Sequence, residues 1–125
     1  MKNKWLFIAA LSGFLWVTLG ALAGHGLFNA GQHADFFDKA HRYQIVHTLA
    51  LLALVSLPPS WPLLLCRTAG FLWILGLFAF CGSLYWMAFT GTPDLRLVVP
   101  VGGIAFLLGW AILFFAACWG ERHGR

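Results

Sequence analysis

The sequence predicts an all-α membrane protein, an antiparallel bundle of four transmembrane helices with both the N-terminus and the C-terminus cytoplasmic. Three observations predict it. Of 125 residues, 61% are hydrophobic and 10% charged, whereas soluble domains carry about 45–50% apolar and about 25% charged residues. So few charges cannot cover a water-facing surface. Four apolar stretches without Asp, Glu, Lys or Arg follow one another: Trp5–Leu27, Ile45–Leu57, Thr68–Phe89 and Leu97–Trp119. Basic residues flank them unevenly, which sets an orientation. The whole chain, residues 1–125, reads as one integral membrane domain with helices at about 5–27, 35–57, 68–89 and 97–119.

The first helix opens behind Lys2 and Lys4. Ala21-Leu22-Ala23 resembles a signal-peptide cleavage site. The apolar run is too long for a typical signal core, and three further spans need a first partner, so it is expected to stay as a span.

The second helix is short if counted on apolar residues alone, being stopped by Pro58-Pro59. A start near Asp35, acting as N-cap, extends it to 23 residues. A helix rises about 1.5 Å per residue, so about 20 residues cross a hydrocarbon core of about 30 Å. Its first turns then lie among the headgroups, with Asp38, Lys39 and Arg42 in water. The third helix reaches span length unaided. In the fourth, Pro100 falls near the start, where a missing amide is tolerated.

With the N-terminus inside, the inner face carries Lys2, Lys4, Arg67, Arg122 and Arg125, and the outer face Lys39, Arg42 and Arg96. That bias gives the orientation. Small residues mark packing faces, because close backbone approach supplies much of the association energy in lipid. Gly13, Gly20 and Gly24 lie on one side of the first helix, Gly76 with Ala69, Ala79 and Ser83 in the third, and Gly102, Gly109 and Ala116 repeat at seven in the fourth.

The net charge of +4 is dispersed, with no cluster to bind nucleic acid. It suits an anionic leaflet, so the partners expected are the lipid bilayer and a membrane protein partner or a homo-oligomer. Cys66, Cys81 and Cys118 form no C-x-x-C pair and read as apolar thiols. Asp35, Asp38, Asp94 and Glu121 all fall at span edges, and Ser83 has no neighbouring base. Paired-carboxylate and nucleophilic catalysis therefore have no place, and the chain does not read as an enzyme.

Intramembrane polar groups need a reason. His25, Gln44, His47, Ser83 and Tyr85 all fall in the outer half under this topology. One reading is an outward-facing pocket in which two imidazoles, an amide and a phenol bind a small ligand, a quinone head or a lipid headgroup. The other is a hydrogen-bond knot that fixes helix register, closed by Arg42 or Asp38. A metal or haem held by His25 and His47 lacks further ligands, so no cofactor is implied. Functionally, the expectation is a non-enzymatic accessory or lipid- or small-ligand-binding module. An oligomeric transporter or channel component and a redox or metal-binding membrane protein stand as alternatives.

Four stretches, LGALAGHGLFNAG, RYQIVHTLALL, FCGSLYWMAFTG and PVGGIAFLLGWAIL, span Leu19 to Leu113. They resemble the domain-of-unknown-function family 423, small bacterial inner-membrane proteins of the YgdD kind with a eukaryotic transmembrane relative. Gly24-His25-Gly26, Tyr43-Gln44-x-x-His47 and Gly82-Ser83-Leu84-Tyr85 carry the likeness most specifically. The resemblance implies a four-helix inner-membrane protein and no established activity.

Overall fold

The computed structural model describes residues 2–26 and 32–123, which form four helical rods. The first is α1 (Lys2–Gly24) and the second α2 (Gln32–Val55). The third is continuous from Leu63 to Thr90, built of α3 (Leu63–Gly76), a π-helical segment (Leu77–Gly82) and α4 (Ser83–Thr90). The fourth is α5 (Val99–His123). No strand occurs among the described residues.

Local chemistry sets the ends. α1 stops at Gly24 through tight turns from His25 N–H to Leu22 O and Gly26 N–H to Ala23 O, with Gly26 at φ 82°. Leu27, placed in the first helix from sequence, lies outside the described residues. α2 starts at Gln32, ahead of the expected Asp35. Asp35 thus sits inside the first turn, where its charge favours the positive helix end, and is not the cap. Pro58-Pro59 cannot continue α2, and Pro62, extended at ψ 109°, leads directly into α3. The third rod thus begins at Leu63, five residues before the expected Thr68, and takes in Arg67. Gly91, left-handed at φ 75°, closes α4 with its N–H on Met87 O at 2.9 Å. α5 opens at Val99 with Pro100 in its first turn.

Among the described residues, three rods are long and apolar enough to cross a membrane: Asn3–Gly24, Leu63–Thr90 and Val99–Arg122. α2 is not among them, because Asp35, Asp38, Lys39 and Arg42 crowd its first half.

Side-chain contacts fix an up-down-up-down order. Ser12 meets Thr48 and Trp16 meets His41, so α1 and α2 are antiparallel. Tyr43 meets Phe80, Gln44 meets Tyr85 and His33 meets Ala88, so the third rod runs back along α2. Gly109 lies on Trp73 and Gly102 on Phe80, so α5 runs back along the third rod. α2 and the third rod each touch all three others. α1 is peripheral, with Trp5 and Ala9 its buried side chains among the described residues.

The tightest crossing is between α5 and the third rod. A Cβ on Gly102 would collide with Phe80 backbone, its Cα 2.7 Å away. One on Gly109 would sit 2.5 Å from Trp73 Nε1, and one on Gly76 would strike the Phe106 ring. Ala116, one heptad on from Gly109, is fully buried. The α1 glycines differ. Gly13 makes ordinary contact with Thr48, Gly20 leaves room for the His41 ring at 3.1 Å, and Gly24 faces open space within 4 Å.

Candidate functional site

Two polar assemblies occupy the middle of the bundle, on different sides of α2. The first joins three rods through Gln44. Its Nε2 donates to Ser12 O at 3.0 Å and Ser12 Oγ at 3.2 Å, and its Oε1 accepts from Tyr85 OH at 2.5 Å. Thr48 Oγ1 donates to Gln44 O at 2.7 Å, one turn back. That spends its only proton, so Ser12 Oγ is the donor in the 2.7 Å bond between the two hydroxyls. Every donor in the chain Tyr85–Gln44–Ser12–Thr48 thus has an acceptor. Gln44 and Thr48 lie four apart on one face of α2, which puts both against α1.

The second assembly is aromatic and centres on His47, 3% exposed. Its Nδ1 lies 2.7 Å from Tyr43 O, and its Nε2 lies 3.0 Å from Trp110 Nε1. A carbonyl only accepts and an indole N–H only donates. His47 is therefore neutral, with its proton on Nδ1 and its Nε2 lone pair on Trp110. The ring stacks on Phe106, centroids 3.6 Å apart at 12°. Neither nitrogen is left to bind a metal or a polar ligand.

Nearer the α1–α2 turn, His41 and Trp16 stack 4.4 Å apart at 5° and bond reciprocally. Trp16 Nε1 donates to His41 O, and His41 Nε2 donates to Trp16 O, both at 2.8 Å. Ser83 donates to Phe80 O at 3.1 Å and to Ala79 O, inside the π-helical region. Trp73 Nε1 is the buried side-chain polar atom without a partner among the described residues; it faces Gly109.

Of the five polar residues singled out from sequence, the structure brings Gln44 and Tyr85 into direct contact. His47 lies on the adjacent face of α2, against α5. Ser83 is spent on its own rod. His25 is exposed in the turn after α1. Because Ser12 is level with Thr48, His25 lies about 20 Å further along the axis, thirteen residues at about 1.5 Å each. The two imidazoles do not meet. Sequence reasoning missed Ser12, Thr48 and Trp110 as members of these assemblies, and it missed the separate Trp16–His41 pair. The spacing Gln44-x-x-x-Thr48 was the available signal. No group of three or more His, Cys, Asp and Glu side chains converges among the described residues.

A cavity of about 580 Å³ forms a groove between α2 and α5. Val46, Phe80, Ile104, Phe106, Leu107 and the His47–Trp110 pair wall it, and Arg42 stands at its mouth. Arg42 Nε pairs with Asp38 at 3.1 Å, one turn back on α2. A cleft of about 230 Å³ separates α1 from the third rod, with Ser12, Gln44 and Tyr85 in its wall.

Long apolar helices, exposed apolar side chains along them and interior polar groups that satisfy one another define a helical integral membrane protein. Comparison with known proteins agrees. The sequence model of the family described as "Protein of unknown function (DUF423)" matches residues 19–103, and the chain belongs to that family. It is 39% identical over 119 residues to a UPF0382 membrane protein of Haemophilus influenzae, covering 94% of this chain and 95% of the relative. It is 36% identical over 128 residues to the UPF0382 inner membrane protein YgdD of Escherichia coli, covering 99% and 97%. A UPF0382 membrane protein of Staphylococcus epidermidis is 32% identical, covering 89% and 92%. No solved structure matches. The chain is a small multi-pass protein of the bacterial inner membrane.

Proposed function

We propose that the chain crosses the bilayer four times, with both termini cytoplasmic, and serves as a non-enzymatic lipid-binding module. One acyl or isoprenoid chain lies in the α2–α5 groove. Support for the fourth crossing comes from the place of α2. From Tyr43 to Val55 it carries no formal charge, and it is packed among the other three rods. Its charged side chains, Asp35, Asp38, Lys39 and Arg42, are exposed and confined to one end, at headgroup depth.

The observation that carries the lipid reading is the chemistry of the groove. Its volume of about 580 Å³ is that of a small-molecule site. Its walls are mostly aliphatic and aromatic; the Tyr43 hydroxyl and Arg42 are its polar groups toward the charged end of α2, and further in the polar atoms of His47 and Trp110 are consumed by each other. A ligand with polar groups at that depth would find no free partner. A hydrocarbon chain needs none, and its head would rest near Arg42. The non-enzymatic reading is supported by Ser83, whose hydroxyl is spent on backbone carbonyls.

Ile104 lines the groove and is 56% exposed, so a larger side chain there fills it without entering the core. Protein extracted gently from native membrane is expected to retain a lipid through delipidating washes, detected by native mass spectrometry. Ile104→Trp is expected to hold one lipid fewer than wild type, the one in the groove, and to melt like wild type. Equal retention by the two proteins would refute the reading.

A further inference from the structure

We propose a second lipid site on the face that carries the two termini, selective for the phosphate of an anionic phospholipid, with Arg67 as its binding residue. The site is a cavity of about 320 Å³ where α1, α2, the 56–62 turn and α3 meet. Trp5, Leu54, Pro58, Pro59 and Trp61 wall it, and Arg67 opens onto it.

Its walls are fixed in advance. Trp5 is buried, with its ring over Gly70, where a Cβ would come within 2.7 Å. It also packs edge-on to Phe71, centroids 5.1 Å apart. Trp61 seats on Gly120, whose Cβ would lie 3.3 Å from the indole. Two consecutive prolines hold the turn between them. Indoles at one end of a bundle are the side chains that favour the headgroup boundary.

The charge is unbalanced. Arg67 is half-buried and has no carboxylate partner among the described residues. The Arg42–Asp38 ion pair is at the opposite end of the bundle. Lys4 and Arg122 add positive charge to this face, and Glu121, exposed on the last turns of α5, is the acid near it. A guanidinium partly withdrawn from water gains most from an anionic acceptor that offers two oxygens at once, and a phosphodiester does; phosphatidylethanolamine has the same phosphate but adds an ammonium group that a cationic face repels, so the anionic lipid is preferred. The apolar walls beneath call for acyl chains on that phosphate, so the occupant is a phospholipid and not a free anion. Arg42 differs because Asp38 already compensates it. The two sites thus differ in selectivity: the α2–α5 groove takes a chain, and this cavity takes an anionic head. The inference requires only that this face lie at headgroup depth, and it stands if the groove proposal fails.

The test uses the full chain in vesicles of equal phosphatidylethanolamine and phosphatidylglycerol, with retained lipid counted by native mass spectrometry. Wild type is expected to retain phosphatidylglycerol preferentially. Arg67→Gln is expected to lower that retention about fivefold, the effect of one basic side chain near an anionic surface, without changing phosphatidylethanolamine. Leu57→Trp fills the cavity at constant charge and is expected to match it. Arg122→Gln and Ile104→Trp, outside the cavity, are expected to keep the preference, and excess inorganic phosphate is expected to leave the lipid bound. Unchanged retention in Arg67→Gln would overturn the proposal. So would an equal loss in Arg122→Gln or Ile104→Trp, or displacement by inorganic phosphate.

Discussion

Replacing Gln44 with leucine removes the amide that ties three rods together while nearly conserving volume. Three bonds go: two donated to Ser12 and one accepted from Tyr85. Interhelical hydrogen bonds in membranes average about 0.6 kcal/mol and reach about 1.7. The loss is therefore about 2 kcal/mol. A larger value is not expected, because Ser12 Oγ keeps Thr48 as its acceptor. Tyr85→Phe removes one of the same bonds, so its cost is about 0.6–1.7 kcal/mol and the double variant falls short of the sum by that amount. The assay is reversible unfolding in mixed micelles, read by fluorescence of the seven tryptophans. A Gln44→Leu protein as stable as wild type, or strict additivity with Tyr85→Phe, would refute the claim that this network holds the bundle.

Further outcomes follow from the other contacts. Gly102→Ala drives a methyl into Phe80 backbone that has no rotamer to yield, so the crossing must open at a cost of about 1–3 kcal/mol. Gly24→Ala meets nothing within 4 Å and is expected to lie within about 0.5 kcal/mol of wild type in the same melt. His47→Phe keeps the stack on Phe106 but strands the Trp110 N–H. A loss of about 1 kcal/mol is expected, nearly abolished when Trp110→Phe is already present. Additive effects of those two substitutions would contradict the pairing.

Much of the architecture was legible because membrane spans are written as runs of one chemistry. α1, the third rod and α5 could be counted directly. The heptad Gly102, Gly109 and Ala116 lies on the face of α5 that meets the third rod, since a backbone contact tolerates only small residues. The π-helical segment was not legible. Leu77–Gly82 reads like any apolar helix, and its widened turn coincides with the approach of Phe80 to Gly102, a tertiary contact. The separation of His25 from His47 was hidden for a related reason. Depth alone placed both in one leaflet half, but the register of α1 on α2, set by Ser12–Thr48 and Trp16–His41, decides which residues are level. Those four are ordinary membrane-helix residues until their partners are known. His47 looked like a ligand-binding group for want of a visible acceptor and donor. Trp110, sixty-three residues away, supplies the donor.

Every depth assignment rests on α2 crossing the bilayer despite its charged first half. Reporters fused separately to the N-terminus and the C-terminus, in cells, test this most directly. Four crossings place both reporters in the cytoplasm. A C-terminal reporter found on the periplasmic side while the N-terminal one stays inside would mean three crossings, and would contradict the account.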